Sequence, residues 1–190
     1  VNMPLLTESV VRPANQLHVG HIEDIYNQAR EAVYSAHLQA MGGDGNYIIR
    51  QLLPSDLNES NEVWAETVSN TGNAYQDSQI ANQIIPDDTT VILYGLIDTS
   101  DPQAVTALRL TSGQGVRAVW DLFPIIGSNP NLSGEIICRT MYAMTPVIIT
   151  RNINVKIEYY VRSFSPQVTR GVEIAILGLV VENAGINIQP

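Results

Sequence analysis

The 190-residue chain has a single cysteine, Cys138, a single lysine, Lys156, and two phenylalanines. One thiol excludes an internal disulfide, and an unpaired cysteine most often serves as a small buried hydrophobe. No run of eighteen apolar residues occurs, so no helical membrane span is expected. The first residues, VNMPLLTESVVRP, carry acid and proline where a secretory signal has a basic start and an apolar run. A soluble, non-spanning chain is expected on these grounds. Basic clusters are also missing: residues 1–88 carry twelve acidic side chains against three basic ones, and 89–190 carry seven of each. Phosphate contacts need grouped Lys and Arg, so direct nucleic-acid binding is not expected.

Catalytic signatures are equally scarce. There is no G-x-S-x-G, no C-x-x-C and no paired-carboxylate arrangement. His18 and His21 have the spacing of a metal pair but no third ligand nearby, whereas zinc sites usually need three or four. His37 sits on a helix flank without an acid or serine beside it. Gly42-Gly43-Asp44-Gly45-Asn46 follows a helix, whereas a phosphate-cradling loop precedes one. Asp87-Asp88 and Asp98 to Asp101 lack the ligand spacing of a calcium loop. Asn58-Glu59-Ser60 and Asn131-Leu132-Ser133 satisfy the glycosylation sequon, a short pattern that arises often by chance.

What is present is architectural. Residues 1–19, with Pro4 and Pro13, suit an extended arm. From Ile22 to Met41 apolar residues recur at spacings of three and four (Ile22, Ile25, Tyr26, Ala29, Val33, Ala36, Ala40), which predicts one amphipathic helix. Glu23 and Asp24 fall in its first turn and Gly42-Gly43 ends it. Its acidic polar face suits packing on protein, because a membrane-surface helix carries Lys and Arg there.

Tyr47–Leu53 and Glu62–Val68 read as strands, and 69–83 as polar sequence in which AYQDSQIANQ allows a short helix or a loop. Strand-like runs then follow at Thr90–Asp98, Ala104–Thr111, Val116–Leu122, Gly134–Tyr142, Val147–Thr150, Ile153–Arg162 and Val172–Glu182, separated by turn residues such as Thr145-Pro146. The clearest is INVKIEYYVR. Ile153, Val155, Ile157, Tyr159 and Val161 share one face, with Asn154, Lys156, Glu158, Tyr160 and Arg162 on the other, a period of two that no helix produces. Val116, Ala118, Trp120 and Leu122 likewise share a face. The last run is apolar on both faces, so it is buried on both sides or meets another subunit, and Gly178 within it suggests a bulge or a close backbone approach.

The predicted class is all-β: a single jelly-roll barrel or sandwich over 47–190, with an arm and one amphipathic helix over 1–46. The order of features is an arm and helix, IIRQLLPSDLNESNEVW, IIPDDTTVILYGLIDTSDPQAVTALRLTSGQGVRAVWDLFPI, TPVIITRNINVKIEYYVRS and a closing VEIAILGLVVE. It resembles the smaller of the two single β-barrel major capsid proteins of tailless icosahedral, internal-membrane viruses of haloarchaea and Thermus. That resemblance implies an upright eight-stranded jelly roll in the virion shell, with no enzymatic activity and no cofactor. It also implies as partners other copies of the chain, a second, larger capsid protein and proteins of the underlying membrane. The modest acidic content departs from a halophilic surface.

Candidate subunit-contact residues are Ile22, Ile25, Tyr26 and Val33 on the helix, Lys156, Glu158, Tyr160 and Arg162 on the polar face of the penultimate strand, and Leu177, Leu179 and Val181 on the last. Glu158→Arg is expected to leave folding intact and to weaken assembly if that face is a contact. The alternative is a secreted or cell-surface β-sandwich binding module for carbohydrate or protein, using Tyr94, Tyr160 or Phe164. A cupin-like enzyme ranks last, since all three histidines precede the barrel.

Overall fold

The computed structural model describes residues 11–13, 17–43, 45–70, 72–100, 103–113, 115–122, 139–162 and 169–184. Residues 134–138 of the expected fourth strand run, Cys138, the Asn131 sequon, Phe164, Asp44 and Asp101 lie outside them, as does most of the arm.

In chain order the elements are β1 (Val11–Pro13), α1 (Val19–Met41), β2 (Tyr47–Gln51), α2 (Pro54–Leu57), β3 (Ala65–Ser69), β4 (Ala74–Ile84), β5 (Thr89–Asp98), β6 (Val105–Ser112), β7 (Gly115–Asp121), β8 (Thr140–Ile149), β9 (Asn154–Val161) and β10 (Thr169–Asn183). Two antiparallel sheets face each other. One runs β1-β8-β5-β10-β2, with β3 on the other half of the β10 edge, and the second runs β4-β9-β6-β7. The pairs β6–β7, β5–β8, β4–β9 and β3–β10 are those of one long hairpin folded about the β6–β7 turn. The further pairs β5–β10 and β6–β9 wrap that hairpin into two layers.

The core between the layers follows from the alternating pattern. Val155, Ile157, Tyr159 and Val161 of β9 turn inward with Ala118, Trp120 and Leu122 from the β7 side and Val172, Ile174, Ile176 and Val180 of β10. Burying a side chain of this size is worth about 1.5–3 kcal/mol. The other face of β10 is apolar because α1 covers it. Leu179 and Val181 pack with Ile92 and Tyr94 of β5 against Ile25, Ala29 and Val33 of the helix.

Several expectations are corrected. The helix begins three residues early, at Val19, so Glu23 and Asp24 are not in its first turn. His37 is on no flank: it continues the buried row Ile25, Ala29, Val33 at a spacing of four. The undecided 74–84 stretch is an eleven-residue strand. Its alternation fails because its pairing with β9 slips between Asp77 and Asn82, turning Ser78, Ile80 and Ala81 inward. Thr145-Pro146 divides no strands. It lies in a bulge of β8, where Tyr142 and Val147 oppose Gly95 and Leu93 of β5, a place where a residue without an N–H costs no ladder bond.

Bulges also set the facing of two other strands. Leu110 and Thr111 pair with Ala118 and Val116, leaving Arg117 as the extra residue, so Val116 turns outward, against the expected face. In β5, Tyr94 is the extra residue relative to β10. It projects toward the helix, and beyond it Leu96 and Asp98 turn inward. The expected irregularity at Gly178 is there: the ladder shifts between Leu177 and Gly178, and a Cβ on Gly178 would sit 2.6 Å from the Ile92 carbonyl oxygen.

Candidate interaction surfaces

Cross-strand register builds an ordered array on the outer face of the four-stranded sheet. One rung reads Asp77, Glu158, Arg109, Val119 from β4 to β7, and the next Tyr75, Tyr160, Ala107, Asp121. Asp77 opposite Glu158 is a like-charge pair that would repel on its own. Two cations relieve it. The Arg109 guanidinium donates to both Glu158 oxygens at 2.7 and 2.8 Å, and Lys156 bridges Asp77 at 2.8 Å and Glu158 at 3.5 Å. The Arg109 fork, then Lys156, hold the Glu158 carboxyl below the usual carboxylate range. Arg109 also lies 4.0 Å from the centroid of the Tyr75 ring, which meets Tyr160 edge-on at 5.0 Å. Lys156, Glu158 and Tyr160 are thus engaged within the chain, while Arg162 is exposed and its backbone N–H donates to the Ala104 carbonyl.

The second surface flanks α1. Ile22, Glu23, Tyr26, Asn27, Tyr94 and Tyr142 line a groove of about 400 Å³ on the side of the helix toward β8. Toward β2, a groove of about 440 Å³ is lined by Asn27, Arg30, Glu31, Tyr34 and Ile49. Tyr26, partly exposed, meets Tyr94 edge-on with ring centroids 6.3 Å apart. Burial pushes the Tyr94 phenol up to about 12. Of the expected contact residues, Ile25, Val33, Leu179 and Val181 are buried between the helix and its own sheet, Leu177 packs at the margin of that layer, and Ile22 and Tyr26 stay at the surface.

Other polar groups tie neighbouring elements together. Arg50 forks onto Asp56 at 2.7 Å through two nitrogens and onto Glu182 at 2.9 Å through two, tying β2 to α2 and β10. Asp98 is buried and accepts from the Ser100 N–H at 2.9 Å and the Gln103 amide at 3.1 Å, and burial raises its pKa despite these donors. The His18 and His21 rings lie 5.8 Å apart. Among the described residues no group of three or more His, Cys, Asp or Glu side chains is placed to hold a metal ion, and no helix is long and apolar enough to cross a membrane.

Tyr75, Asp77, Arg109 and Val119 were missing from the candidates drawn from sequence. Tyr75 and Asp77 share the two-residue spacing of a strand face, but the slip after Asp77 erases the pattern that would have marked it. No model of a known protein family matches this chain, and no curated protein matches its sequence.

Proposed function

We propose that the two-sheet fold is a jelly roll and that the chain is a structural subunit of a self-assembling shell, a capsid protein acting with copies of itself and a second, larger barrel protein in a virion. The observation that carries this reading is the pairing order. A single long hairpin, β2/β3-β4-β5-β6 against β7-β8-β9-β10, is wrapped into a six-stranded layer, which β1 joins, and a four-stranded one, and coat proteins are among the commonest uses of jelly-roll topology. Two further features favour a building block. The helix stiffens the outer face of one sheet, and large apolar side chains remain at the surface, among them Val19, Val63, Ile84, Val116 and Val119.

Topology by itself does not assign function, so the test is assembly. Sedimentation and electron microscopy of the purified chain at rising concentration, alone and with virion extract, should give regular oligomers or arrays. A chain that remains monomeric under all of these conditions would sink the proposal. One observation favours a carbohydrate-binding module instead: the Tyr75 and Tyr160 rings stand on an outer sheet face beside Arg109. Glycan-array binding that is lost in Tyr160→Ala would establish that reading in place of the first.

A further inference from the structure

The one buried polar side chain on α1 is His37, fourth in the row that seats the helix on the sheet. Its Nδ1 lies 3.0 Å from the Thr90 hydroxyl of β5, and its ring meets the Tyr47 ring of β2 edge-on at 4.6 Å. Its Nε2 is buried with no hydrogen-bond partner. Neutral imidazole tolerates this site, because one nitrogen exchanges a hydrogen bond with Thr90 and the other can remain a bare lone pair. Imidazolium does not. Both nitrogens then carry protons, one N–H has no acceptor, and a full charge sits in an apolar seam.

We propose that His37 is an acid-sensitive latch: its protonation unseats the C-terminal half of α1 from the six-stranded sheet and uncovers Ile49, Ile92, Leu179 and Val181, while the core between the sheets stays folded. The inference is independent of what the chain assembles with. The ionisable groups around the latch oppose one another. Burial, the largest influence, lowers the pKa from 6.5; Asp88, just before β5, favours the charged ring and opposes it, while Arg151, in the turn before β9, acts in the same direction as burial. Tyr47 faces the ring from β2, and the helix-facing side chains of β10, Leu179 and Val181, are apolar. Trp120, the core reporter, is buried in the separate cluster between the sheets.

The sign follows from linkage. An undocked helix carries a histidine with its ordinary pKa, so below pH 6.5 the undocked state binds the proton first. Between 6.5 and the lower pKa of the docked state, the docked-to-undocked ratio falls up to tenfold per pH unit, and above 6.5 it is flat.

The test is amide exchange by mass spectrometry on the full chain from pH 8 to 4.5, corrected for intrinsic exchange, with the tryptophan band of the near-ultraviolet circular dichroism, recorded in Trp64→Phe so that Trp120 alone contributes to it, reporting the core. Protection of residues 30–41 should fall by at least tenfold at the acid end while the Trp120 signal holds, and His37→Leu should remove that step. NMR titration of the unmodified chain gives a second readout that needs no variant: the His37 ring should titrate below the ordinary histidine value of 6.5, in step with loss of helix protection. Protection unchanged to pH 4.5, a step that survives in His37→Leu, or loss of helix and Trp120 signal together would each overturn the proposal.

Discussion

Two glycines have no room for even a methyl group. A Cβ on Gly95 would run into the Met141 carbonyl oxygen, and one on Gly178 would meet the Ile92 carbonyl oxygen and the Leu52 side chain. Both obstacles include backbone in a paired strand, which cannot rotate away. Gly178→Ala is therefore expected to cost about 1–3 kcal/mol, the usual penalty of overpacking, read as a lowered midpoint in urea unfolding.

Glu158 offers a second test at this scale. Its folded pKa is depressed, so the pair with Arg109 contributes stability above the ordinary value of 4.5 and loses it as pH falls through the folded value. In Glu158→Gln the stability difference from the native chain should be about 0.5–1 kcal/mol at pH 7 and shrink to nothing by strong acid, measured by denaturant titration at each pH. For the same reason Glu158→Arg is no neutral probe of assembly. It sets a third cation beside Arg109 and Lys156, so lost assembly would be confounded by lost stability.

Among the elements, α1 has the most to disclose. Its contact row is small at the centre, with Ala29 wholly buried between Ile25 and Val33. Close approach of helix to sheet depends on that alanine. Ala29→Leu should lift the helix at a cost of about 1–3 kcal/mol, seen as a lower thermal midpoint together with faster amide exchange in α1. The helix was legible from its spacing of three and four, and its end from Gly42, which caps it at φ 83°. Its first turn was not, because Val19, Gly20 and His21 carry no periodic apolar signal. Position 37 was misread because a histidine in an apolar row reads as a break in the stripe.

At the level of the whole molecule, the exposed apolar residues of β7 are the better probes of assembly. Val116 and Val119 are nearly half exposed, and Val119 belongs to no ion pair in the ladder. If the outer face of the four-stranded sheet meets a neighbouring subunit, Val119→Gln, which adds no cation opposite Arg109, should reduce assembly by tenfold or more in sedimentation at matched concentration while leaving the thermal midpoint within about 2 °C, since surface substitutions usually change stability by under 0.5 kcal/mol. Assembly unaffected by this change would move the contact to the flank of α1.

The amino-acid pattern alone determined that the chain is mostly β with one amphipathic helix, and that the inward face of β9 is Val155, Ile157, Tyr159 and Val161. Those properties are local: alternation and helical spacing depend only on neighbours a few residues away. Tertiary structure decided what covers the second apolar face of β10, and that four of the expected contact residues are buried inside the chain by α1. It also decided the facing of Val116, Tyr94 and Asp98, because a bulge inserts one residue and reverses the parity of everything beyond it, a shift fixed by the partner strand and written nowhere in the strand itself.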